Sequence, residues 1–148
     1  MKEITKVVVD AMGGDNAPHE IIKGAVEAVG KSDAIHVILV GKEDVINQEL
    51  SGYTYNKEQI SVVHTSEVIE TAEPPVMAIR RKKDSSIVVG LKMVKDKEAD
   101  AFVSAGSSGA VLAGGQLLVG RIKGVERPPL APLIPTEKGF SILIDCGA

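Results

Sequence analysis

Residues 7–18 read VVVDAMGGDNAP, and this stretch decides the fold. Three valines lead to Asp10, which is typical of a short strand buried on both faces of a sheet. The glycine pair that follows allows a tight turn. Apolar residues then recur at helical spacing through 18–29, with Pro18 suited to the first turn and Gly30 to the stop. The stretch therefore predicts a strand, a glycine loop and a helix.

The same alternation continues along the chain. Strands are predicted at 35–40, 60–64, 101–104 and 141–145, helices at 43–50, 75–83, 86–97 and 107–121, and irregular structure in the proline-rich segment 127–135. This order predicts the α/β class, with three α/β/α layers and a largely parallel sheet. A buried last strand usually leads into a covering helix, so we expect the chain to be part of a longer one.

Composition and charge narrow the function classes. Hydrophobic residues make up 44% of the chain and the net charge is −3, which favours a globular protein without a nucleic-acid surface. The single Cys146 cannot form an internal disulfide, and the N-terminus lacks a secretory signal pattern, so we expect a cytoplasmic protein. Peripheral membrane contact stays open. The three histidines lack metal-ligand spacing, so no metal site is predicted.

Two glycine loops follow predicted strands, where open α/β sheets bind their ligands. In the first, Asp10 and Asp15 flank the glycines and can position a donor or merely cap a turn. The second, residues 104–110, reads SAGSSGA and opens a helix, so its amides and hydroxyls suit an anion such as phosphate. Close packing of small residues is the alternative. Neither loop matches a nucleotide-binding fingerprint.

A basic run lies at 80–83, with the sequence RRKK. On the predicted helix from Pro75, Arg80 and Lys83 share one face and can reach one ligand. The alternative is a solvated charged face. Cys146 is interpreted as a small buried residue rather than a nucleophile.

Four segments in this order resemble the motifs of one family, the bacterial acyl-acyl-carrier-protein:phosphate acyltransferases of phospholipid synthesis. They are VDAMGGDNAP at 9–18, AIRRKKDSS at 78–86, SAGSSGA at 104–110, and Arg127-Pro128 with the proline-rich tail. The resemblance covers essentially the whole chain. Ser107-Ser108 stands where the third motif commonly has Asn-Thr, which keeps hydroxyl donors. Members of this family continue well past residue 148, so residues 1–148 correspond to the N-terminal part of one domain.

The resemblance implies a fold similar to isocitrate and isopropylmalate dehydrogenases, which phosphotransacetylases share. It implies transfer of a fatty acyl group from acyl carrier protein to inorganic phosphate, giving an acyl phosphate for phosphatidic acid synthesis. It further implies a cytoplasmic homodimer with peripheral membrane contact and no organic cofactor. The second half of such proteins supplies the rest of the cleft, so catalysis by these 148 residues alone is not expected.

The resemblance also implies roles for particular residues. Candidate catalytic residues are Asp10, Asp15 and Asn16. Candidate phosphate-binding residues are Gly13, Gly14, Arg80, Lys83, Ser104, Gly106, Ser107, Ser108 and Gly109. Because acyl carrier protein is acidic, the run 80–83 can instead be its landing site.

Three other functions stay open. The first is a phosphotransacetylase-like enzyme that uses acyl-CoA. The second is a non-catalytic half-domain that only binds or assembles. The third is a dinucleotide-dependent dehydrogenase, which the missing fingerprint argues against.

Overall fold

The computed structural model describes residues 4–126, 128–129 and 131–144. The helices are α1 (His19–Lys31), α2 (Glu43–Leu50), α3 (Pro75–Arg81), α4 (Ser86–Lys95) and α5 (Ser108–Gly114), which continues as a π-helix (Gly115–Val119). The strands are β1 (Thr5–Asp10), β2 (Ile35–Gly41), β3 (Ile60–His64), β4 (Ala101–Val103), β5 (Leu133–Thr136) and β6 (Gly139–Ile142). None of the helices among these residues is long and apolar enough to cross a membrane.

A four-stranded parallel sheet forms the centre, in the order β3-β2-β1-β4. Val9 of β1 pairs with Leu39 of β2 on one side and with Val103 of β4 on the other. The prediction of a largely parallel sheet is therefore confirmed.

The side chains of successive strand residues point to opposite faces of the sheet. Val37 and Leu39 of β2 pack in one apolar cluster with α1 and α2, where Ile22 and Ile46 are fully buried. Ile38 and Val40 point the other way and pack toward α4. A third cluster joins α3, α4 and α5 on that second face. Helices thus cover both faces, consistent with the predicted three layers.

The chain reverses direction across the sheet at β1. It first moves from β1 to β2 to β3, and then crosses back to place β4 on the free side of β1. The loops that leave β1 and β4 therefore lead to helices on opposite faces. This is a topological switch point, the place where open α/β sheets bind ligands outside the carboxyl ends of their strands.

Three helices end elsewhere than predicted. α1 continues through Gly30 to Lys31, and Ser32, in an extended conformation, ends it. α3 ends at Arg81 instead of residue 83, since a turn leads into Ser85, whose hydroxyl accepts from Val88 N and caps α4. α4 ends at Lys95 instead of residue 97, where Lys97 takes a left-handed conformation with φ 60°.

The predicted single helix 107–121 is interrupted. Regular α-helix stops at Gly114, and the next turn is a π-helix closed by a bond of 2.8 Å from Gly120 N to Gly115 O. A Cβ on Gly114 would lie 2.4 Å from Leu91 Cδ1, so the end of the Leu91 side chain packs into the space that this glycine leaves on α5. Gly120 has φ +100° and ends the element.

The prediction for the tail was wrong. Residues 133–136 are a strand and not irregular, and the last strand is not a buried parallel one. Instead, β5 and β6 form a separate antiparallel hairpin whose side chains are exposed, with Phe140 75% exposed. Gly139, with φ +139°, lies where the chain turns from β5 into β6 and pairs with Thr136. Asp145, Cys146 and Arg127, on which other predictions fell, lie outside the described residues.

Alanine substitutions at two helical glycines should change the free energy of unfolding in opposite directions. Gly24→Ala in the middle of α1 should raise the free energy of unfolding by about 0.5–1 kcal/mol, because a Cβ there meets no atom within 4 Å. Gly90→Ala in α4 should lower it by about 1–3 kcal/mol, since its Cβ would lie 2.5 Å from the Phe102 ring. Urea unfolding of both variants measures the two changes. Equal effects would contradict the packing of α4 on β4.

Candidate functional site

The loops after β1 and β4 are joined by a hydrogen-bonded chain of side-chain and backbone groups. The Ser104 hydroxyl donates to Asp10 Oδ2 at 2.8 Å and accepts from Gly106 N at 3.0 Å. The other carboxylate oxygen, Asp10 Oδ1, accepts from Met12 N at 3.1 Å. One carboxylate therefore fixes both loops at the switch point.

Asp10 is buried at the end of β1, with 1% of its surface exposed. Burial of a carboxylate is costly unless hydrogen bonds replace its hydration. Both of its oxygens already accept bonds from the two loops. The carboxylate of Asp10 therefore holds the two loops together, and it positions the hydroxyl of Ser104 as a donor.

The backbones of the two loops touch at glycines. A Cβ on Gly13 would lie 2.3 Å from Asp10 Oδ2 and 3.0 Å from Gly106 N. A Cβ on Gly106 would lie 3.2 Å from the Cα of Gly13. Gly14 has φ +110° beside Ala105, a conformation that side chains rarely allow. The contact therefore leaves no space for a side chain at Gly13, is tight at Gly106, and holds Gly14 in a conformation that favours glycine.

Ser107 and Ser108 begin α5 directly after this contact. The Ser107 hydroxyl accepts from Ala110 N at 3.2 Å and caps the helix, while its own hydrogen stays able to donate. Ser108 is exposed. Amides of the first helical turn have no partner within the helix, so this end of α5 attracts negative charge. Gly109 is close to α3, since a Cβ there would lie 2.8 Å from Pro75 Cγ.

Asp15 and Asn16 lie on the exposed part of the first loop. The Asn16 carbonyl accepts from Glu20 N at 3.1 Å and leads the chain into α1. Neither side chain forms a hydrogen bond with another described residue. The structure thus brings together Asp10, the glycines and Ser104, and leaves this pair at the rim.

Arg80 and Lys83 lie on the segment formed by α3 and the turn that follows it. α3 runs beside α5, with Pro75 next to Gly109 and Ile79 next to Gly114, and Arg80 is exposed farther along it. Lys83 lies beyond the end of α3, where its ammonium donates to Ile79 O at 3.3 Å. The prediction that these two cations share a helical face was wrong, because the helix ends between them.

The rest of the basic segment is held against the end of β3. Asp84 accepts from both Ser66 N and Ser66 Oγ, and its own amide donates to Glu67 Oε2 at 3.0 Å. Lys82 pairs with Glu73 and also donates to a backbone carbonyl. The hydrogen bond from Lys82 lowers the pKa of Glu73. These contacts give Lys82 and Asp84 structural roles.

Sequence reasoning missed one further contact of the first loop. Met12 packs on Gly41 at the end of β2, and its sulfur accepts from Lys42 N at 3.4 Å. A methionine in a loop carries no chemical motif, so nothing in the sequence points to it. Among the described residues, no three His, Cys, Asp or Glu side chains are placed to hold a metal ion.

The sheet order and the joined loops define a doubly wound α/β protein with its candidate site at the switch point. This chain belongs to the fatty acid synthesis protein family, whose model matches residues 5–148. Over 143 residues it is 60% identical to the phosphate acyltransferase of Alkaliphilus oremlandii and 57% identical to that of Clostridium novyi. The alignments cover 97% of this chain but 42% and 43% of those relatives, so the chain spans less than half their length.

A solved structure supports the architecture. The EutD phosphotransacetylase from Staphylococcus aureus is similar with a TM-score of 0.62 at 19% identity. The match covers 98% of this chain and 47% of that one. At this identity the likeness establishes the fold.

Removal of the Ser104 hydroxyl should separate the two loops. Ser104→Ala takes one donor from the buried Asp10, so we expect the free energy of unfolding to fall by about 1.5–3 kcal/mol. Ser108→Ala is the matched control, because that side chain is exposed and should change stability by less than about 0.5 kcal/mol. Denaturant unfolding compares them. Similar losses in both variants would contradict the role of Ser104 as the link.

The turn after β3 should respond to acid. The Ser66 hydroxyl, and then its amide, hold the pKa of Asp84 below its ordinary value. A carboxylate with a lowered pKa stabilises the fold above the ordinary value, roughly 3.9, and this contribution is lost as pH falls through the folded pKa. Ser66→Ala should raise the pKa of Asp84, as followed by carboxyl NMR titration. Ser51→Ala is the control and should leave the pKa of Asp84 unchanged. The same pKa in Ser66→Ala would show that Ser66 does not lower it.

Proposed function

We propose that the complete polypeptide containing this chain moves a fatty acyl group from acyl carrier protein to inorganic phosphate. The products are an acyl phosphate, which supplies phospholipid synthesis, and free carrier protein. The observation that carries this proposal is the 60% identity to a phosphate acyltransferase over nearly the whole chain. The joined glycine loops at the switch point support it, because ligands of open α/β sheets bind there.

The reaction is attack of a phosphate oxygen on a thioester carbonyl. Phosphate is already anionic near neutral pH, so the main task is to hold it in line with the carbonyl. In our proposal the backbone amides of Ser107, Ser108 and Gly109 and the hydroxyls of the two serines bind phosphate. Gly13 and Gly106 let the two backbones approach, while Asp10 and Ser104 hold them in place. A further donor is required for the oxyanion of the tetrahedral intermediate.

The basic residues take a different role in this proposal. Arg80 and Arg81 are exposed on α3, and the hydrogen bond that the described residues give the Lys83 ammonium goes to Ile79 O, within the same segment. Exposed cations guide an acidic partner to a surface and speed its association. We therefore assign this segment to docking of acyl carrier protein, and not to the phosphate.

Several finer features belong to the same proposal. The chain is one part of a single domain with the isocitrate and isopropylmalate dehydrogenase-like fold. The complete protein is a cytoplasmic homodimer that contacts the membrane peripherally and needs no organic cofactor. Roles for Asp15 and Asn16 at the rim of the site are part of it as well.

One alternative has its own support. The likeness to the EutD phosphotransacetylase fold favours acyl-CoA as a second candidate acyl donor. The donor preference of the complete protein separates the two candidates. If only longer chains are active, residues 1–148 are a half-domain that binds or assembles without catalysis.

The assay is release of free thiol from palmitoyl-acyl carrier protein, with and without phosphate. The samples are this chain and a chimera in which it replaces the matching 143 residues of the Alkaliphilus oremlandii relative. We expect phosphate-dependent release by the chimera alone. No release by a folded chimera, while the intact relative is active, would reject the proposal. Faster release from palmitoyl-CoA would favour the alternative.

The proposed phosphate-binding role of Ser107 and Ser108 is tested in the same chimera. Ser107→Ala/Ser108→Ala should raise the KM for phosphate about tenfold or more, because a hydrogen bond to a charged group contributes roughly 1.5–3 kcal/mol. Ser51→Ala, on an exposed turn, is the control and should leave that KM unchanged. An unchanged KM in the double variant would remove Ser107 and Ser108 from the phosphate site.

A further inference from the structure

The loop after β1 is fixed on its other side to the end of β2. Ala11 N donates to Val40 O at 3.0 Å and so extends the ladder one residue past β1. Met12 comes next, and its sulfur accepts from Lys42 N at 3.4 Å, where α2 begins. Its backbone amide donates to Asp10. Met12 thus connects the buried carboxylate with the junction of β2 and α2.

Gly41 leaves the space that this side chain occupies. A Cβ on Gly41 would lie 2.7 Å from both Cγ and Sδ of Met12. On another side it would meet Ile46 Cδ1 at 3.3 Å, and Ile46 is fully buried in α2. Because Cγ lies near the start of the methionine side chain, a rotation of the terminal methyl cannot relieve this contact. The side chain or the loop that carries it has to move.

We infer that Met12 is a positioning residue for the glycine loop, and that Gly41 is needed because it makes room for Met12. The next residue, Gly13, lies against Gly106 with no space for a Cβ. In this proposal the backbone at Met12 moves with its side chain, and the movement shifts Gly13 against Gly106. That the affected ligand is phosphate rests on the function proposed above, whereas the coupling between Gly41 and the loop does not.

The coupling is tested first in the 148-residue chain. Amide NMR signals of Gly13, Gly14 and Gly106 are compared in Gly41→Ala, Met12→Ala and the double variant. Gly24→Ala is the matched control, since its Cβ meets no atom within 4 Å. We expect Gly41→Ala to shift the loop signals beyond the control. Addition of Met12→Ala should bring them back toward those of Met12→Ala alone.

Two results would overturn the coupling. One is loop signals in Gly41→Ala that match those of the Gly24→Ala control. The other is an equal effect of Gly41→Ala with and without Met12, because additive effects mean that the two residues do not interact. If Gly41→Ala alone fails to fold, the double variant tests the coupling. Removal of the Met12 side chain relieves the contact and should restore folding, and a double variant that also fails to fold would overturn the coupling.

The consequence for function is measured in the chimera. Gly41→Ala should lower kcat/KM for phosphate by about 10- to 100-fold, because misplacement of a binding group by roughly 1 Å can cost about 100-fold. The loss should appear mainly in the KM for phosphate and be smaller in Met12→Leu, which keeps the volume. A lower Tm with unchanged KM would mean a purely structural role. An inactive parent chimera would count against the proposed function and leave the NMR result standing.

Discussion

The hydrogen bond from Ser104 to Asp10 is the contact on which the candidate site depends. It joins the ends of two neighbouring parallel strands at the point where the sheet reverses direction. A carboxylate at this depth needs donors, and the two loops supply them from Ser104 and Met12. The glycines follow from the same constraint, since the space around Asp10 is too small for a Cβ on Gly13. The chemistry proposed for the two loops therefore depends on the hydrogen bond between Ser104 and Asp10.

Much of the parallel sheet could be predicted from the sequence. Short apolar runs between glycine loops and amphipathic segments gave β1, β2, β3 and β4, because strands covered on both faces must be apolar throughout. The tail could not be predicted in this way. Residues 141–144 look like a buried strand, but residues 139–142 pair antiparallel with β5 across a turn next to Gly139, and their side chains are exposed. Apolar character alone does not distinguish a core strand from an exposed hairpin.

The candidate site could be predicted in part. The two glycine loops were recognisable because each follows a predicted strand, and the structure shows that these strands are neighbours and that the loop glycines meet. The common helical face of Arg80 and Lys83 was predicted wrongly, because it required a helix two residues longer than α3. Met12 could not be found, since its role comes from a neighbour 29 positions away, Gly41, which lacks a side chain. Such spatial contacts leave no pattern in the sequence.

The Asp10–Ser104 bond spans 94 positions along the chain, and this separation has a consequence for folding. While the polypeptide emerges from the ribosome, β1, β2 and β3 can pair in order, but one edge of β1 stays open until β4 is made. Closing so long a loop costs entropy before any contact offsets it, so the site forms late. Until then Asp10 lacks its donor from Ser104. A nascent chain that stops before residue 101 therefore displays an unpaired strand edge, which is the kind of surface that chaperones protect from association with other chains.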